Sequence, residues 1–457
     1  MNVSVIGTGY VGLVTGASFA FLGHRVCCYD VDLAKIEALQ KSIIPFYEPY
    51  LEILVDEQVK KKQLFFSCSL DEFFAQSDIV FIAVGTPTDP QSGAVDMTYL
   101  KKAALEIGKN MQPHRYYVVV NKSTVPVGTH QLVEELIKES LQVSGTKDVA
   151  FAVASNPEFL REGNAIEDVF YPDRIVVGTY CPKALALLEE LYRPLIEQSF
   201  TLPSFCPQRP QNLGRVPFVK VHPLSSELIK YASNAFLATK ITFINEIANL
   251  CDLFGANIDE VSLGMGLDQR IGPSFLKAGL GWGGSCFGKD LKGLIHDGKK
   301  MGYAAELLQK SLQNNYSQRS RAIYKLQQAL KTLRGRRIGL LGLAFKAQTD
   351  DLRDAPALDL IEKLMESDCT VKVFDPVAME NLKRLRPQWP LVYAIDEYDL
   401  AEGCDGLILV TEWKRFHGVD WQKIHSLMKN PLLIDGRNFL DRQRLEAFGF
   451  VYSGIGR

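Results

Sequence analysis

One cysteine lies where its side chain could act as a nucleophile. The string GGSCFGKDL covers residues 283–291 and predicts the start of a helix, with Ser285 as its N-cap. A cysteine in the first helical turn is favoured as the thiolate, and the nearby Lys289 adds to this effect. Asp290 follows Cys286 at i+4, on the same helical face. The spacing predicts covalent catalysis by Cys286, against the alternative of an inert buried cysteine, which we expect for the other eight.

Two further pairs of polar residues have a spacing that suits catalysis. Lys230 and Asn234 are one helical turn apart in an apolar helical run, although pattern alone favours a solvated surface pair. Glu158 and Glu162 follow the predicted strand 150–154, at the carboxyl edge of a sheet. Paired carboxylates there suit general-base work on water, and a capped loop is an equally good interpretation.

The first residues predict a dinucleotide site. The string GTGYVG (7–12) follows a strand and precedes a helical run, which is the setting in which such glycines approach a pyrophosphate. The second strand ends at Asp30, whose carboxylate would accept hydrogen bonds from a ribose 2′-OH and repel a 2′-phosphate. NAD is therefore favoured over NADP. The string VGTPT (84–88) ends another strand, where it is either a second ligand contact or a simple turn.

Two series of alternating strands and helices must position these residues. Such alternation predicts an α/β fold with doubly wound parallel sheets. Between the series, about thirty residues from 224 to 254 predict one helix about 45 Å long. The predicted domains are 1–202, a central helical domain 203–333, and 334–457, with a proline-rich connection at 202–219. The predicted strands are 3–6, 25–29, 79–84, 116–120, 150–154, 174–178, 338–342, 371–374, 391–394, 406–410 and 432–434.

Composition excludes several classes of protein. The 457 residues carry a net charge of -2, which gives no reason to expect nucleic acid or an anionic membrane as a partner. Nine cysteines without a CxxC pair, and seven scattered histidines, argue against a disulfide framework and against a metal site. No signal segment and no apolar run of membrane length is present, so we expect a cytoplasmic protein.

Nine strings in the same order resemble the UDP-glucose/GDP-mannose dehydrogenase family over nearly the whole chain. They are GTGYVGL (7–13), PFYEP (45–49), VGTPT (84–88), KSTVPVGT (122–129), SNPEFLREG (155–163), ELIKYASNAFLATK (227–240), FLKAGLGWGGSCFGKDL (275–291), LGLAFKAQTDDLRDAPAL (341–358) and DGRN (435–438). The resemblance implies two Rossmann-like domains joined by a long helix that builds a homodimer.

The resemblance also implies NAD-dependent oxidation of the C6 alcohol of UDP-glucose to the carboxylate of UDP-glucuronate. In that chemistry Cys286 is the nucleophile, Lys230 and Asp290 handle protons and water, and Asn234 donates to the oxyanion. Glu158 assists thioester hydrolysis, and Thr124 contacts nucleotide or water. The implied cofactor contacts are Gly7, Gly9, Tyr10, Val11, Gly12, Asp30, Lys35, Gly85, Thr86, Thr88, Thr124, Glu162, Lys289 and Arg353.

The implied nucleotide-sugar contacts are spread along the chain. Arg270 resembles an arginine that reaches the partner's site across the dimer. The others are Glu158, Phe159, Leu160, Arg161, Lys230, Asn234, Phe275, Lys277, Gly283, Phe345, Lys346 and Arg437.

Three rival functions stay open at this point. The same chemistry could act on GDP-mannose or a UDP-N-acetylhexosamine, although FLKAGLGWGGSCF favours UDP-glucose. A two-electron dehydrogenase of the 3-hydroxyacid or 6-phosphogluconate type would lack both the nucleophilic cysteine and residues 337–457. A non-enzymatic NAD-binding regulator would have no use for Cys286, Lys230, Asn234 and Asp290 together.

Overall fold

A computed structural model of the chain describes residues 1–70, 72–89 and 92–457. The chain divides into two compact units. The first comprises Met1–Ser233 with Lys292–Asp297, and the second comprises Asn234–Leu291 with Gly298–Arg457.

The first unit is built on a sheet of eight strands in the order β3-β2-β1-β4-β5-β6-β7-β8. Neighbouring strands are parallel except that β6 and β7 pair antiparallel at Ser155 and Gly178. The inner strands are mostly apolar because helices cover both faces of the sheet. The strands are β1 (Asn2–Ile6), β2 (Arg25–Tyr29), β3 (Leu64–Ser67), β4 (Ile79–Ile82), β5 (Tyr116–Asn121), β6 (Ala150–Ser155), β7 (Ile175–Gly178) and β8 (Phe218–Val221).

Helices alternate with these strands, as the sequence predicts for a doubly wound sheet. They are α1 (Tyr10–Phe21), α2 (Leu33–Gln40), α3 (Leu51–Lys60), α4 (Glu72–Ala75), α5 (Thr98–Asn110), α6 (Thr129–Ser144), α7 (Ala165–Phe170) and α8 (Pro182–Glu197).

A helix of 32 residues, α9 (Pro223–Phe254), begins in the first unit and continues into the second. Its first residue is proline, which is tolerated there because the first helical N–H has no intrahelical partner. The predicted helix from 224 to 254 is confirmed. Three more helices follow, α10 (Ile258–Gly266), α11 (Phe287–Lys300) and α12 (Glu306–Leu330).

The second unit contains a parallel sheet of six strands in the order β11-β10-β9-β12-β13-β14. With its strands numbered from one, this is the order 3-2-1-4-5-6 of a Rossmann sheet, which the first six strands of the other unit also follow. The predicted fold class is therefore confirmed. The remaining elements are β9 (Arg337–Leu341), α13 (Pro356–Glu366), β10 (Thr370–Phe374), α14 (Met379–Leu385), β11 (Val392–Tyr393), α15 (Glu397–Ala401), β12 (Gly406–Leu409), a 3₁₀ helix (Lys414–Gly418), α16 (Trp421–Leu427), β13 (Leu432–Asp435), α17 (Arg442–Ala447) and β14 (Val451–Ser453).

The sequence did not predict three strands, namely β3, β8 and β14. Each is three or four residues long and lies at the edge of its sheet, where a short run carries little periodic signal. The predicted connection 202–219 is wrong at its end, because β8 already begins at Phe218. Within the described part of the chain, no helix has the length and apolarity to cross a membrane.

Candidate functional site

The turn after β1 has the shape that a pyrophosphate needs. Gly7 has φ +103°, and a Cβ there would lie 2.5 Å from the Ala83 carbonyl oxygen. A Cβ on Gly12 would lie 2.0 Å from the Gly7 oxygen, so this glycine lets α1 pack closely on the turn. At Gly9, no described atom lies within 4 Å of the Cβ position. The turn therefore has open space for a ligand where the pattern predicts the closest approach to backbone.

Asp30 stands at the end of β2 and ties the turn to α2. Its Oδ2 accepts hydrogen bonds from the Thr8 N–H at 3.0 Å, the Thr8 hydroxyl at 2.7 Å and the Lys35 ammonium at 2.9 Å. Burial works to raise the pKa of Asp30, yet the hydrogen bonds from Lys35 and Thr8 hold it below its ordinary value. The carboxylate is charged at neutral pH, as an acceptor for ribose hydroxyls requires.

Tyr10, a predicted cofactor contact, is held by a carboxylate that sequence reasoning did not select. Its hydroxyl donates to Glu48, which also accepts the N–H groups of Gly163 at 2.6 Å and Ala165 at 2.8 Å. Burial, followed by the Glu48 charge, raises the pKa of Tyr10, and the charge of Glu162 adds to this. Glu48 thus links the strings GTGYVGL, PFYEP and SNPEFLREG. Its position within the matched string PFYEP was the sequence feature that could have identified it.

The strings VGTPT and KSTVPVGT meet at the carboxyl ends of β4 and β5. The Thr86 hydroxyl donates to the Thr124 carbonyl at 2.7 Å, and the Ser123 hydroxyl donates to the Val84 carbonyl at 2.7 Å. No described atom lies within 4 Å of a Cβ position at Gly85. The two strings therefore form one edge, which is where open parallel sheets bind ligands. Thr88, also a predicted cofactor contact, forms an isolated antiparallel β-bridge with Val95.

Glu158 and Lys230 form a buried ion pair with 2.8 Å between Nζ and Oε1. Their side chains are 6% and 4% exposed, so solvent does not screen the pair. Burial works to raise the pKa of Glu158, but Lys230, the Leu160 N–H and Lys122 together hold it below its ordinary value. A buried lysine at this position contradicts the solvated-surface interpretation of Lys230.

A second buried lysine belongs to the same group of side chains, although sequence reasoning did not single it out. The Lys122 Nζ donates to Asn156 Oδ1 at 3.0 Å and lies 3.4 Å from the Tyr192 hydroxyl. We call Glu158, Lys230, Lys122, Asn156 and Tyr192 the Glu158 cluster. The available signal was a lysine two residues beyond the predicted strand 116–120, inside the string KSTVPVGT.

In the second unit, Asp290 organises the residues around the predicted nucleophile. Asp290 is 1% exposed and accepts from the Asn234 amide at 2.6 Å and from the Lys289 ammonium at 2.7 Å. Helix α11 begins at Phe287, and the Cys286 carbonyl accepts the Asp290 N–H at 2.9 Å. Cys286 therefore takes the N-cap position that was predicted for Ser285, whose hydroxyl lies 3.5 Å from the Cys286 sulfur. We call Asp290, Asn234, Lys289 and Cys286 the Asp290 cluster.

Four predicted nucleotide-sugar residues also lie in the second unit, namely Gly283, Phe345, Lys346 and Arg437. Arg437 donates to the carbonyl oxygens of Gly281 at 2.9 Å and of Phe345 at 3.2 Å. A Cβ on Gly283 would lie 2.3 Å from the Asp354 carbonyl oxygen, so only glycine fits between these segments. Lys346 lies beside Phe345, with its Nζ 5.8 Å from the ring centroid. Arg437 thus joins segments that are far apart in sequence.

Other predicted contacts lie outside these groups, except that two border the Glu158 cluster. The Leu160 N–H donates to Glu158, and the Lys230 ammonium lies 5.7 Å from the Phe159 ring centroid. Arg270, Arg353 and Arg161 each pair with a nearby aspartate and keep most of the side chain exposed. Phe159 stacks under Arg174, whose guanidinium carbon is 3.8 Å from the ring centroid. Phe275 has a positive φ of 64°. The remaining predicted contacts are half-buried or exposed, namely Val11, Leu160 and Lys277.

Family models match most of the chain in three consecutive segments. Residues 1–196 match the NAD binding domain of the UDP-glucose/GDP-mannose dehydrogenase family, residues 224–317 its central domain, and residues 339–442 its UDP binding domain. The chain is 44% identical to a UDP-glucose 6-dehydrogenase of Rhizobium meliloti, with all of both chains covered.

Solved structures agree with this likeness. A UDP-glucose dehydrogenase from Pyrobaculum islandicum superposes with a TM-score of 0.87 at 37% identity, covering 99% of this chain and 97% of the other. A UDP-D-ManNAc dehydrogenase from Pyrococcus horikoshii gives a TM-score of 0.83 at 26% identity, covering 100% and 99%.

Proposed function

The chain belongs to the UDP-glucose/GDP-mannose dehydrogenase family, and from that premise we propose that it oxidises UDP-glucose to UDP-glucuronate through a thioester on Cys286. The reaction consumes two NAD⁺ and one water per sugar. It converts the C6 CH₂OH into a carboxylate and yields two NADH and three protons.

The glycine turn and Asp30 support NAD as the oxidant. Gly9 leaves open space at the start of α1, where free N–H groups favour a pyrophosphate, and Gly7 and Gly12 permit the tight turn and the close packing beside it. Asp30 is charged and stands where a ribose 2′-OH is recognised. Bound NAD⁺ accepts one hydride in each of the two oxidations. Lys35 and Glu162 complete the proposed contacts in the first unit, and Lys289 and Arg353 those in the second.

The protein side chains carry the remaining steps of the proposed mechanism. Lys230 in its neutral form, or a water held by Asp290, takes the proton of the sugar hydroxyl during the first oxidation. The Cys286 thiolate then adds to the aldehyde carbon, while Asn234 stabilises the oxyanion. The second oxidation turns this thiohemiacetal into a thioester. A water activated by Glu158 hydrolyses the thioester and frees the Cys286 sulfur.

The position of Cys286 at the N-terminus of α11 is the observation that carries the proposal. The helix has 14 residues, and its N-terminal dipole favours a thiolate at this position. Asp290 lies one turn further along, held in place by Asn234 and Lys289. A two-electron alcohol dehydrogenase has no use for this arrangement, because its reaction stops at the carbonyl and needs no nucleophile.

Substitution of the nucleophile tests the proposal. The wild-type protein should form two NADH per UDP-glucuronate, whereas Cys286→Ser should make the acid at least about 10³-fold more slowly. NADH absorbance and chromatography of the acid measure both products. Cys369→Ser is the matched control, since Cys369 is another half-buried cysteine of the same unit and should leave the rate unchanged. One NADH per acid, or undiminished turnover in Cys286→Ser, contradicts the mechanism.

The sugar specificity rests on the family likeness and on the string FLKAGLGWGGSCF (275–287). The same chemistry on GDP-mannose or a UDP-N-acetylhexosamine is the alternative, and the likeness to a UDP-D-ManNAc dehydrogenase keeps it open. A panel of nucleotide sugars decides between them. UDP-glucose should give the highest kcat/KM, and a higher value for another sugar overturns the assignment.

We also propose a homodimer, because α9 presents an apolar stripe. Phe236, Phe243 and Leu250 recur every seven residues and are 65%, 48% and 39% exposed. This period places them on one face of the helix. Arg270, with 88% of its side chain exposed, is proposed to reach the partner's substrate. None of the nine cysteines, all of which lie in the described residues, forms a disulfide, and this fits a reducing cytoplasm, which is the proposed location.

Sedimentation measures the proposed association. Phe243→Glu should convert dimer to monomer because it places a charge in a buried apolar interface. Met301→Glu is the control, since Met301 is 86% exposed on a turn outside the stripe and should leave the dimer intact. A monomeric wild-type protein, or an unchanged dimer in Phe243→Glu, contradicts this interface.

A further inference from the structure

Lys122 has an unusual setting for a charged residue. It follows the last residue of β5 and is 8% exposed. The two groups in contact with its ammonium, the Asn156 carbonyl oxygen and the Tyr192 hydroxyl, are both neutral. A buried ammonium needs a counter-charge, because transfer of a charge from water into a protein interior is unfavourable. The available counter-charge is Glu158, which already pairs with Lys230 at 2.8 Å.

Lys122 is also connected to Glu158 through the backbone. Asn156, two residues before Glu158, donates its side-chain amide to the Val176 carbonyl at 2.7 Å and its backbone N–H to the Asn121 carbonyl at 2.9 Å. Its Oδ1 accepts from both Lys122 and Tyr192. Asn156 is thus held by four hydrogen bonds, and the short segment that follows it carries Glu158.

We propose that Lys122 is a positioning residue of the active site, which anchors the turn that carries Glu158 and keeps the Glu158 carboxylate ionised for thioester hydrolysis. The proposal rests on the role of Glu158 proposed above. Lys122 touches neither water nor substrate in this scheme and acts through Glu158.

The titratable groups around Lys122 fix the expected pH dependence. They are Glu158 after β6, Lys230 on α9 and Tyr192 on α8, whose pKa burial raises far above neutrality. Burial lowers the pKa of Lys122 itself to about 8, with Glu158 opposing this shift and Lys230 adding to it. Below that pH the Lys122 charge favours the Glu158 carboxylate. Its removal should therefore make Glu158 harder to ionise.

The experiment follows the rate of acid release from the acyl-enzyme against pH, by rapid quench after reaction with UDP-glucose and NAD⁺. In Lys122→Met, the acid limb of this rate should move to higher pH by about one unit. Lys122→Arg keeps the charge, so its acid limb should stay at the wild-type pH. Lys138→Met is the control, since Lys138 is 58% exposed in the same unit and should leave the profile unchanged.

A second comparison separates charge from packing. In a Glu158→Gln background, Lys122→Met should have no further effect on the pH profile, because the group on which it acts is gone. Tyr192→Phe removes one hydrogen bond to Asn156 without altering charge and should lower the rate at all pH values with the acid limb in place. An unmoved acid limb in Lys122→Met, or an equal shift in the Glu158→Gln background, overturns the proposal. The proposed function fails on other grounds, namely if Cys286→Ser still forms the acid.

Discussion

The Glu158 cluster and the Asp290 cluster each place a lysine beside a carboxylate, but they differ in burial and in charge. In the Glu158 cluster both partners of the ion pair are buried, and Lys122 adds a second positive charge. In the Asp290 cluster Lys289 keeps 21% of its side chain exposed, and a neutral amide is the second partner of the carboxylate. The first arrangement holds a carboxylate ionised, whereas the second orients one near Cys286, the proposed nucleophile.

The largest expected difference between the clusters is kinetic. Glu158→Gln should block hydrolysis, so that a burst of about two NADH per subunit precedes a steady rate that is lower by about 10²- to 10⁴-fold. Asp290→Asn should lower the rate by a similar factor without a burst, because it impairs proton handling before the thioester forms. Stopped-flow absorbance measures the burst, and intact mass detects the acyl-enzyme. Equal bursts in the two variants contradict the assignment of Glu158 to hydrolysis and of Asp290 to the steps before the thioester.

The two clusters should also differ in how much their lysines contribute to the stability of the fold. Lys230→Met leaves the Glu158 carboxylate without its close partner in a buried site, and should cost about 3–5 kcal/mol of unfolding free energy. Lys289→Met removes a partly exposed partner and leaves the Asn234 hydrogen bond in place, so its cost should be about 1 kcal/mol or less. Guanidinium unfolding of the two variants measures the difference. Equal costs are inconsistent with the burial of the Glu158 pair.

The smallest expected effect concerns stability at high pH. The pKa of Lys122 is lowered to about 8 in the folded protein, against about 10.4 for a free lysine, so the unfolded chain binds more protons between these values. Stability should therefore rise with pH across this window, by up to about 3 kcal/mol relative to Lys122→Met. Unfolding of both proteins at pH 7.5, 9 and 10 measures the slope. A constant difference between them excludes a charged, buried Lys122.

The sequence correctly predicted those secondary-structure elements that are determined by patterns among neighbouring residues. The period of α9, the glycine turn before α1 and the alternation of strands and helices all follow from neighbouring residues, and they agree with the structure. The edge strands β3, β8 and β14 were not predicted. Each has only three or four residues, and its strand conformation depends on the neighbouring strand with which it pairs. The three-domain division and the individual roles of the site residues stay predictions.

The same distinction holds at the candidate sites. The sequence by itself selected Cys286, Asp290, Lys230 and Glu158, because helical spacing and the end of a strand are visible in the order of residues. Only the tertiary structure decided that Lys230 is buried against Glu158 and that Asn234 and Lys289 both hold Asp290. It also decided that the charge of Lys122 acts on the Glu158 carboxylate. Burial and charge pairing depend on segments brought together from distant parts of the chain, and no local pattern records them.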